Sequence, residues 1–355
     1  MNTNINISSI NNHFFPTLDE PGALTSSRPY KSTLVNYDFY SVNEIQICDN
    51  IKQIRYYSNN FYIIEDYGLV DIGQLSEKVV EQLHPTDETK YMIFKYNNEN
   101  LVDFDTFLFN MMEPKRFLFN TIMSFSYLLD SLRLLHENDI CFFNLSPQNI
   151  AFNLDCGEKP VIRNFQTSLL VSRLNVEYIT QIIQKQQEYT HKPLEVHVLF
   201  YIIQNNLSTI SYAFIEEVCD TFLEKLPFLC LFSKNFTVSY KDACVASLKK
   251  YINQPRSDII LDILKNSDKW DVYSLSMLYL HIFGGISRVF SLQPTFITKF
   301  MTELSKNIHP VPTKRSSLDE LFAAYTMLLT EEPDWTFVDQ FSRDKMPQLF
   351  AVLGE

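Results

Sequence analysis

Glycine is scarce in this chain, with 7 in 355 residues and none between Gly22 and Gly68. A G-x-G-x-x-G loop, whose small residues let backbone amides approach phosphate closely, is therefore excluded from that stretch. Clustered positive charge is also missing: no five consecutive residues are Lys or Arg, and the formal net charge is -12. That excludes a broad nucleic-acid groove. The 6 cysteines (Cys48, Cys141, Cys156, Cys219, Cys230 and Cys244) include no C-x-x-C pair and no Cys/His metal spacing, so they read as reduced thiols in a cytosol-like compartment. No apolar run approaches the roughly 18 residues that span a bilayer. The opening MNTNINISSINNHFFPT has neither the basic flank nor the apolar centre of a secretory signal, and a chain soluble where it is made is expected. Neither H-E-x-x-H nor G-x-S-x-G occurs. His84, His136, His191 and His197 are read as ordinary packed or surface residues.

What the chain has is hydrophobic content, 46%, with 29 Phe and 19 Tyr. That is enough for one large core or a bilobal pair. Residues 1–36, rich in Asn, Ser, Thr and Pro, read as an irregular arm. Between 37 and 70, DFYSVNEIQI, IKQIRYY and FYIIEDYGLV, broken by CDN and SNN, predict two or three antiparallel strands. DIGQLSEKVVEQL (71–83) has helical spacing, and KYMIFKY (90–96) reads as another strand. From 114 the periods lengthen. PKRFLFNTIMSFSYLLDSLRLLH (114–136) predicts a buried helix with proline in its first turn. CFFNL and VIRNF read as short strands, with a hairpin turn at Asp155-Cys156-Gly157-Glu158. Residues 198–266 read as a helical block. KWDVYSLSMLYLHIFGG (269–285) predicts a helix ended by its paired glycines, and Ser317 with Glu320 predicts a capping box over 317–329. The expected architecture is α+β: a small strand-rich lobe over 37–98 and a large helical lobe over 99–350, the latter carrying a helical insertion at about 198–266.

LLHENDICFFNLSPQNIAFN (134–153) resembles the catalytic-loop region of eukaryotic-type protein kinases, H-R-D-L-x-x-x-N. Leu145, Pro147, Asn149 and Ile150 agree with the pattern, while Phe142, Phe143 and Asn144 stand where the family has His, Arg and the catalytic Asp. VIRNFQ (161–166) resembles the strand and D-F-G motif, with Asn164 at the metal-binding Asp position and Gln166 for Gly. YTHKPLEVHVL (189–199) is similar to the Pro-Glu segment that closes an activation loop, with Glu195 as its acid. WDVYSL resembles the buried helix whose Asp, here Asp271, braces the catalytic loop, and HPVPTKRSSLDEL makes Arg315 the implied partner of Glu195. KYMIFKY resembles the last small-lobe strand and hinge, with Phe94, Lys95 and Tyr96 as hinge candidates. FYIIEDY resembles the place of the phosphate-positioning Lys, where Glu65 or Asp66 would repel phosphate; Lys52 and Lys95 are the basic residues that could substitute. The family spans the interval from Glu195 to Asp271 with far fewer residues, so the block between them resembles an insertion that holds a partner or covers the substrate groove.

The resemblance implies a bilobal kinase-like fold without its chemistry. An Asn at 144 orients a group by hydrogen bonding but does not take a proton as Asp does. Asn149 matches a family metal ligand, yet Asn164 offers only a neutral carbonyl where magnesium needs anionic oxygen. No metal site and no cofactor are expected, with metal-independent ATP binding the remaining nucleotide mode. Structural roles stand beside these: Asn144 and Asn149 satisfying backbone groups, Phe142 and Phe143 plugging the core, and Asp271, Glu195 and Arg315 acting as architecture. The leading expectation is an inactive kinase-like scaffold for a protein partner. The alternatives are an atypical serine/threonine kinase using Asp139 or Asp155, and an unrelated virion structural or assembly protein. The abundance of Asn, Ile, Lys, Phe and Tyr suits a large DNA virus, and the expected location is the cytoplasm of the host or source cell, or the virion.

Overall fold

The computed structural model describes residues 6–9, 17–19, 30–70, 73, 75, 90–184, 191–226, 229, 232–290, 295–331 and 335–354. The fold is α+β, with a sheet-bearing N-terminal part and a helical C-terminal part. Strands β1 (Asn6–Ser9), β2 (Thr17–Asp19), β3 (Tyr30–Asn36), β4 (Asp66–Val70) and β5 (Tyr91–Asn97) form one sheet in the order β1-β2-β3-β5-β4, each neighbouring pair antiparallel. The region expected to be an irregular arm therefore contributes β3 to the middle of the sheet.

Residues 39–51 are not strands. They form helix α1 (Phe39–Ile51), because Asp38 starts a capping box: Asp38 Oδ1 accepts the amides of Tyr40 (2.9 Å) and Ser41 (3.0 Å), and Ser41 Oγ accepts the Asp38 amide (2.9 Å). Its buried face mixes Ser41, Asn43 and Glu44 with Ile45, Ile47, Cys48 and Ile51, so no apolar stripe marks the helix in the sequence. FYIIEDY enters the ladder only at Asp66, and Phe61 makes an isolated bridge to Ile162. The expected helix at 71–83 lies outside the described residues apart from Gly73 and a buried Leu75.

Strand β6 (Leu101–Asp103) and the short helix α2 (Phe104–Leu108) lead to α3 (Pro114–Glu137), which is capped by the Glu113 carboxylate with Pro114 in the first turn. Strand β7 (Ile140–Cys141) follows, then β8 (Ile150–Asn153) and β9 (Lys159–Ile162), an antiparallel hairpin turning where expected, with Gly157 at φ +78. Strand β10 (Leu169–Leu170) pairs with β7. Helices α4 (Val176–Gln184), α5 (Leu194–Gln204), α6 (Tyr212–Glu224), α7 (Lys234–Leu248) and α8 (Arg256–Leu264) precede the central α9 (Trp270–Val289), α10 (Phe296–Lys306), α11 (Leu318–Thr330) and α12 (Met346–Leu353). The predicted capping box at Ser317 and Glu320 is present.

Helix α9 does not stop at Gly284-Gly285. It continues to Val289, and a Cβ on Gly285 would meet Leu353 Cδ2 at 2.5 Å, so this glycine admits α12 against the helix. One apolar core joins α1, β5, α3, α5 and α9. No helix among the described residues is long and apolar enough to cross a membrane.

Candidate functional site

The loop after β7 leaves its ladder because Asp271, fully buried in the first turn of α9, takes the next two amides. Phe142 N donates to Asp271 Oδ2 at 2.7 Å and Phe143 N to Oδ1 at 2.8 Å, while His136 Nε2 lies 3.0 Å from Oδ2. The strand expected over CFFNL is thereby limited to Ile140–Cys141. Phe143 sits at φ +66, a conformation costly for a bulky residue, of order 1–3 kcal/mol. Lys192 holds it from the other side: Nζ donates to the Phe143 carbonyl at 2.6 Å and lies 3.9 Å from the ring centroid. Burial pushes the Lys192 amine down to about 7.

Asn149 is buried where this loop turns toward β8, and both ends of its amide are used. Nδ2 donates to the Asn144 carbonyl at 2.8 Å and to Ser146 Oγ at 3.3 Å, and Oδ1 accepts from Asn164 Nδ2 at 2.8 Å. The structure thus brings Asn144, Asn149 and Asn164 together: Asn149 bonds the backbone carbonyl of Asn144 and the side chain of Asn164, which is exposed at φ +64. Asp139 and Asp155, the carboxylates considered as replacements, serve as turn caps: Asp139 accepts the Ser172 amide at 3.1 Å and Asp155 the Asn100 amide at 2.9 Å.

Phe165 follows Asn164 into the core, its ring 5.3 Å from that of Phe142 and 6.0 Å from that of Phe61. These three aromatics form a column from the loops to the residues that enter β4. Beside it lies Glu44 of α1, whose Oε1 accepts the Phe165 amide at 3.2 Å. Burial raises its carboxyl from 4.5 to about 7, against a smaller lowering by the Phe165 amide. No basic side chain pairs with it among the described residues. Lys52 donates to the Glu65 carbonyl and pairs with Asp49, and Lys95 pairs with Asp66 at 2.7 Å. In β5 the side of the sheet alternates, so Lys95 faces away from the buried Phe94 side.

The hinge candidates do not lie in a free segment. Phe94 is opposed by Thr33 on one side and Tyr67 on the other, Lys95 by Ser32 and Asp66, and Tyr96 by Lys31. The Lys95 carbonyl accepts the Glu65 amide at 2.8 Å, and at the strand end the Asn97 carbonyl accepts from Tyr62 Oη at 3.0 Å. Ladder and flank together use backbone groups that adenine would need.

Glu195, in the first turn of α5, and Arg315, before α11, form a buried two-pronged pair: Nη1 to Oε1 at 2.6 Å and Nη2 to Oε2 at 2.9 Å, with Arg315 Nε donating to the His309 carbonyl at 2.7 Å. Helix α7 lies close by, with Tyr240 Oη donating to the Ile308 carbonyl at 2.5 Å and the Tyr240 and Cys244 side chains near enough to feel both charges. The block between Glu195 and Asp271 is therefore packed onto the body and is not a free projection. Its stem closes where Ile210 bridges Ile252.

His136, Cys141 and Asp271 bring potential metal-ligand atoms within 4.8 Å of one another. Both Asp271 oxygens are occupied by backbone amides and burial pushes the Cys141 thiol well up, so the donor set fits a brace better than a cation site. Sequence reasoning missed Glu44 and Lys192. The signal available for Glu44 was Asp38-x-x-Ser41 ahead of it; Lys192 had none beyond its place before Pro193. No protein-family model matches the chain and no curated protein sequence matches it, so any account of its function rests on the arrangement of its own residues.

Proposed function

We propose that this chain is a catalytically inactive, protein-kinase-like scaffold that binds a protein partner. The observation that carries the reading is the amide set: the positions at which phosphoryl transfer needs a base and a metal ligand are neutral amides, and Asn149 and Asn164 bond each other. A kinase holds Mg²⁺ and the triphosphate with an Asp beside the loop Asn, whereas here both positions are amides that bond each other and offer the cation no negative ligand.

Three further arrangements support the kinase-like part. A helix between the third and fourth strands of the small sheet points an acid, Glu44, at the Phe165 loop. Kinases set such an acid against a strand lysine that positions phosphate, and here the β3 residues on the same side as Phe94 and Tyr96 are Lys31, Thr33 and Val35, none of them paired with Glu44 among the described residues. Asp271 holds the loop amides, and Glu195 pairs with Arg315. The setting in this reading is the cytosol, with virion association as the extension that the compositional bias suggests. The partner is a protein and not a nucleic acid, in keeping with the -12 charge.

Calorimetric titration with ATP, in magnesium and then in chelator, tests the proposal. The expected result is no magnesium-dependent binding and no phosphotransfer. Magnesium-dependent binding accompanied by phosphotransfer that is lost on changing Asn144 would refute it.

A further inference from the structure

Helix α1 meets the segment 165–182 through a series of polar side chains, nearly all with matched donors and acceptors. Tyr40 Oη donates to the Gln181 carbonyl at 2.7 Å, and Asn43 Nδ2 donates to the carbonyls of Gln166 (3.0 Å) and Ser168 (2.9 Å). Tyr178 Oη donates to Asn43 Oδ1 at 2.7 Å, and Arg173 Nη1 to Gln46 Oε1 at 2.7 Å. Glu44 is the exception. Its buried carboxyl has the single Phe165 amide at 3.2 Å, and among the described residues no ion pair and no second hydrogen bond reaches it.

Among the described residues, the titratable groups around it supply no positive charge. Cys48, one turn along α1, and Tyr96, from β5, are both kept neutral first by burial and then by the Glu44 charge. From α4 comes Tyr178, whose hydroxyl is engaged with Asn43. The cations of the neighbourhood are committed elsewhere, Lys52 to the Glu65 carbonyl and Asp49, and Arg173 to Gln46. The turn at 165–167 contributes no titratable side chain. An ionised Glu44 would be a buried charge with one amide for company, which the surroundings penalise.

We propose that Glu44 is a proton-operated latch: protonated, it holds α1 against the Phe165 loop, and ionised, it releases that contact, so that acidification tightens the junction between the sheet and the helical part. The protonated acid keeps the carbonyl oxygen that accepts the Phe165 amide. Ionisation is relieved when α1 shifts enough for water to reach the carboxylate. Because burial raises the carboxyl of the closed state from 4.5 to about 7, the closed contact is fully favoured below 4.5, is lost progressively as pH rises, and changes no further above about 7. The latch goes beyond the scaffold reading and does not depend on it.

Hydrogen exchange on the full chain, corrected for the intrinsic pH dependence of the exchange chemistry, tests the latch. Peptides covering 39–51 and 164–168 are expected to lose protection about tenfold or more between pH 5 and pH 8, levelling off above about pH 7, since one proton allows at most about tenfold per pH unit. Glu44→Gln keeps the acceptor and does not ionise, so its protection is expected to stay flat over the same range. Carboxyl resonances of ¹³C-labelled glutamate in the wild type are expected to include one that titrates near 7. A Glu44→Gln chain that retains the wild-type pH dependence overturns the proposal. Should that variant fail to fold, a wild type in which every glutamate titrates below about pH 6 overturns it instead.

Discussion

Arg315→Met is expected to be strongly destabilising, because it breaks a buried ion pair. Arg315 makes two bonds to Glu195 and one to the His309 carbonyl, at 2.6, 2.9 and 2.7 Å, and its guanidinium lies 5.0 Å from the Tyr273 ring centroid. The pair is fully out of water, with side-chain exposures of 0% and 5%. Removing the arginine leaves the Glu195 carboxylate buried without its countercharge, a situation that costs about 3–5 kcal/mol. Glu195→Met should cost a similar amount by stranding the guanidinium. The double variant removes both charges, so its loss should fall well short of the sum of the two, with a coupling of about 3 kcal/mol. Chemical denaturation followed by far-ultraviolet circular dichroism reads all four chains, the midpoint shift giving stability where the slope is unchanged. Singles that each cost under about 1 kcal/mol and add in the double would mean that the pair is solvated and would refute the buried-pair argument.

Three other outcomes follow from the geometry. Lys192 is buried with its amine pushed down to about 7 from 10.5; the folded chain then binds fewer protons than the unfolded one between those values, so wild-type stability rises with pH relative to Lys192→Met by about 1 kcal/mol per unit. Urea titrations at pH 7, 8 and 9 check this, and a pH-independent difference contradicts it. On the scaffold reading, Asn144→Asp and Asn164→Asp together should yield no detectable phosphotransfer from radiolabelled ATP with magnesium, because no described lysine pairs with Glu44 and no glycine lies between Gly22 and Gly68 to form a phosphate-covering loop. Gly285→Ala should loosen α12, since the added Cβ meets Leu353 Cδ2 at 2.5 Å and Cγ at 3.2 Å; overpacking of about 1–3 kcal/mol outweighs the roughly 1 kcal/mol gained from helix propensity, and thermal unfolding reads the difference.

The helical part was largely legible in the sequence because its periodicity is strong and its caps are written in local residues. Pro114 opens α3, Ser317 and Glu320 box the start of α11, and the hairpin turn falls at Gly157. The sheet-bearing part was not. Helix α1 buries Ser41, Asn43 and Glu44 beside its isoleucines, and a polar residue placed inward to bond another segment breaks the pattern that marks a helix. Misplacing α1 moved the strand before it into the expected N-terminal arm, and with it the segment compared with the phosphate-positioning lysine. The paired glycines misled for a related reason: Gly285 is selected by α12, far away in sequence, and not by the end of its own helix.

The same distinction separates what motif spacing could reveal at the loops from what it could not. The departures from the resembled kinase pattern at 142, 143, 144 and 164 are visible one by one in the sequence. In the fold they are coupled. The Phe143 carbonyl is held by Lys192, while Asp271 holds the Phe142 and Phe143 amides. With amides at 149 and 164, the two sides that would face a metal bond each other. Buried polar groups left without partners cost about 1–3 kcal/mol each, so the internal bonds that reach this loop matter to its stability. They come from residues up to 129 positions away. The network therefore stabilises one arrangement of the loops through the chain's own side chains.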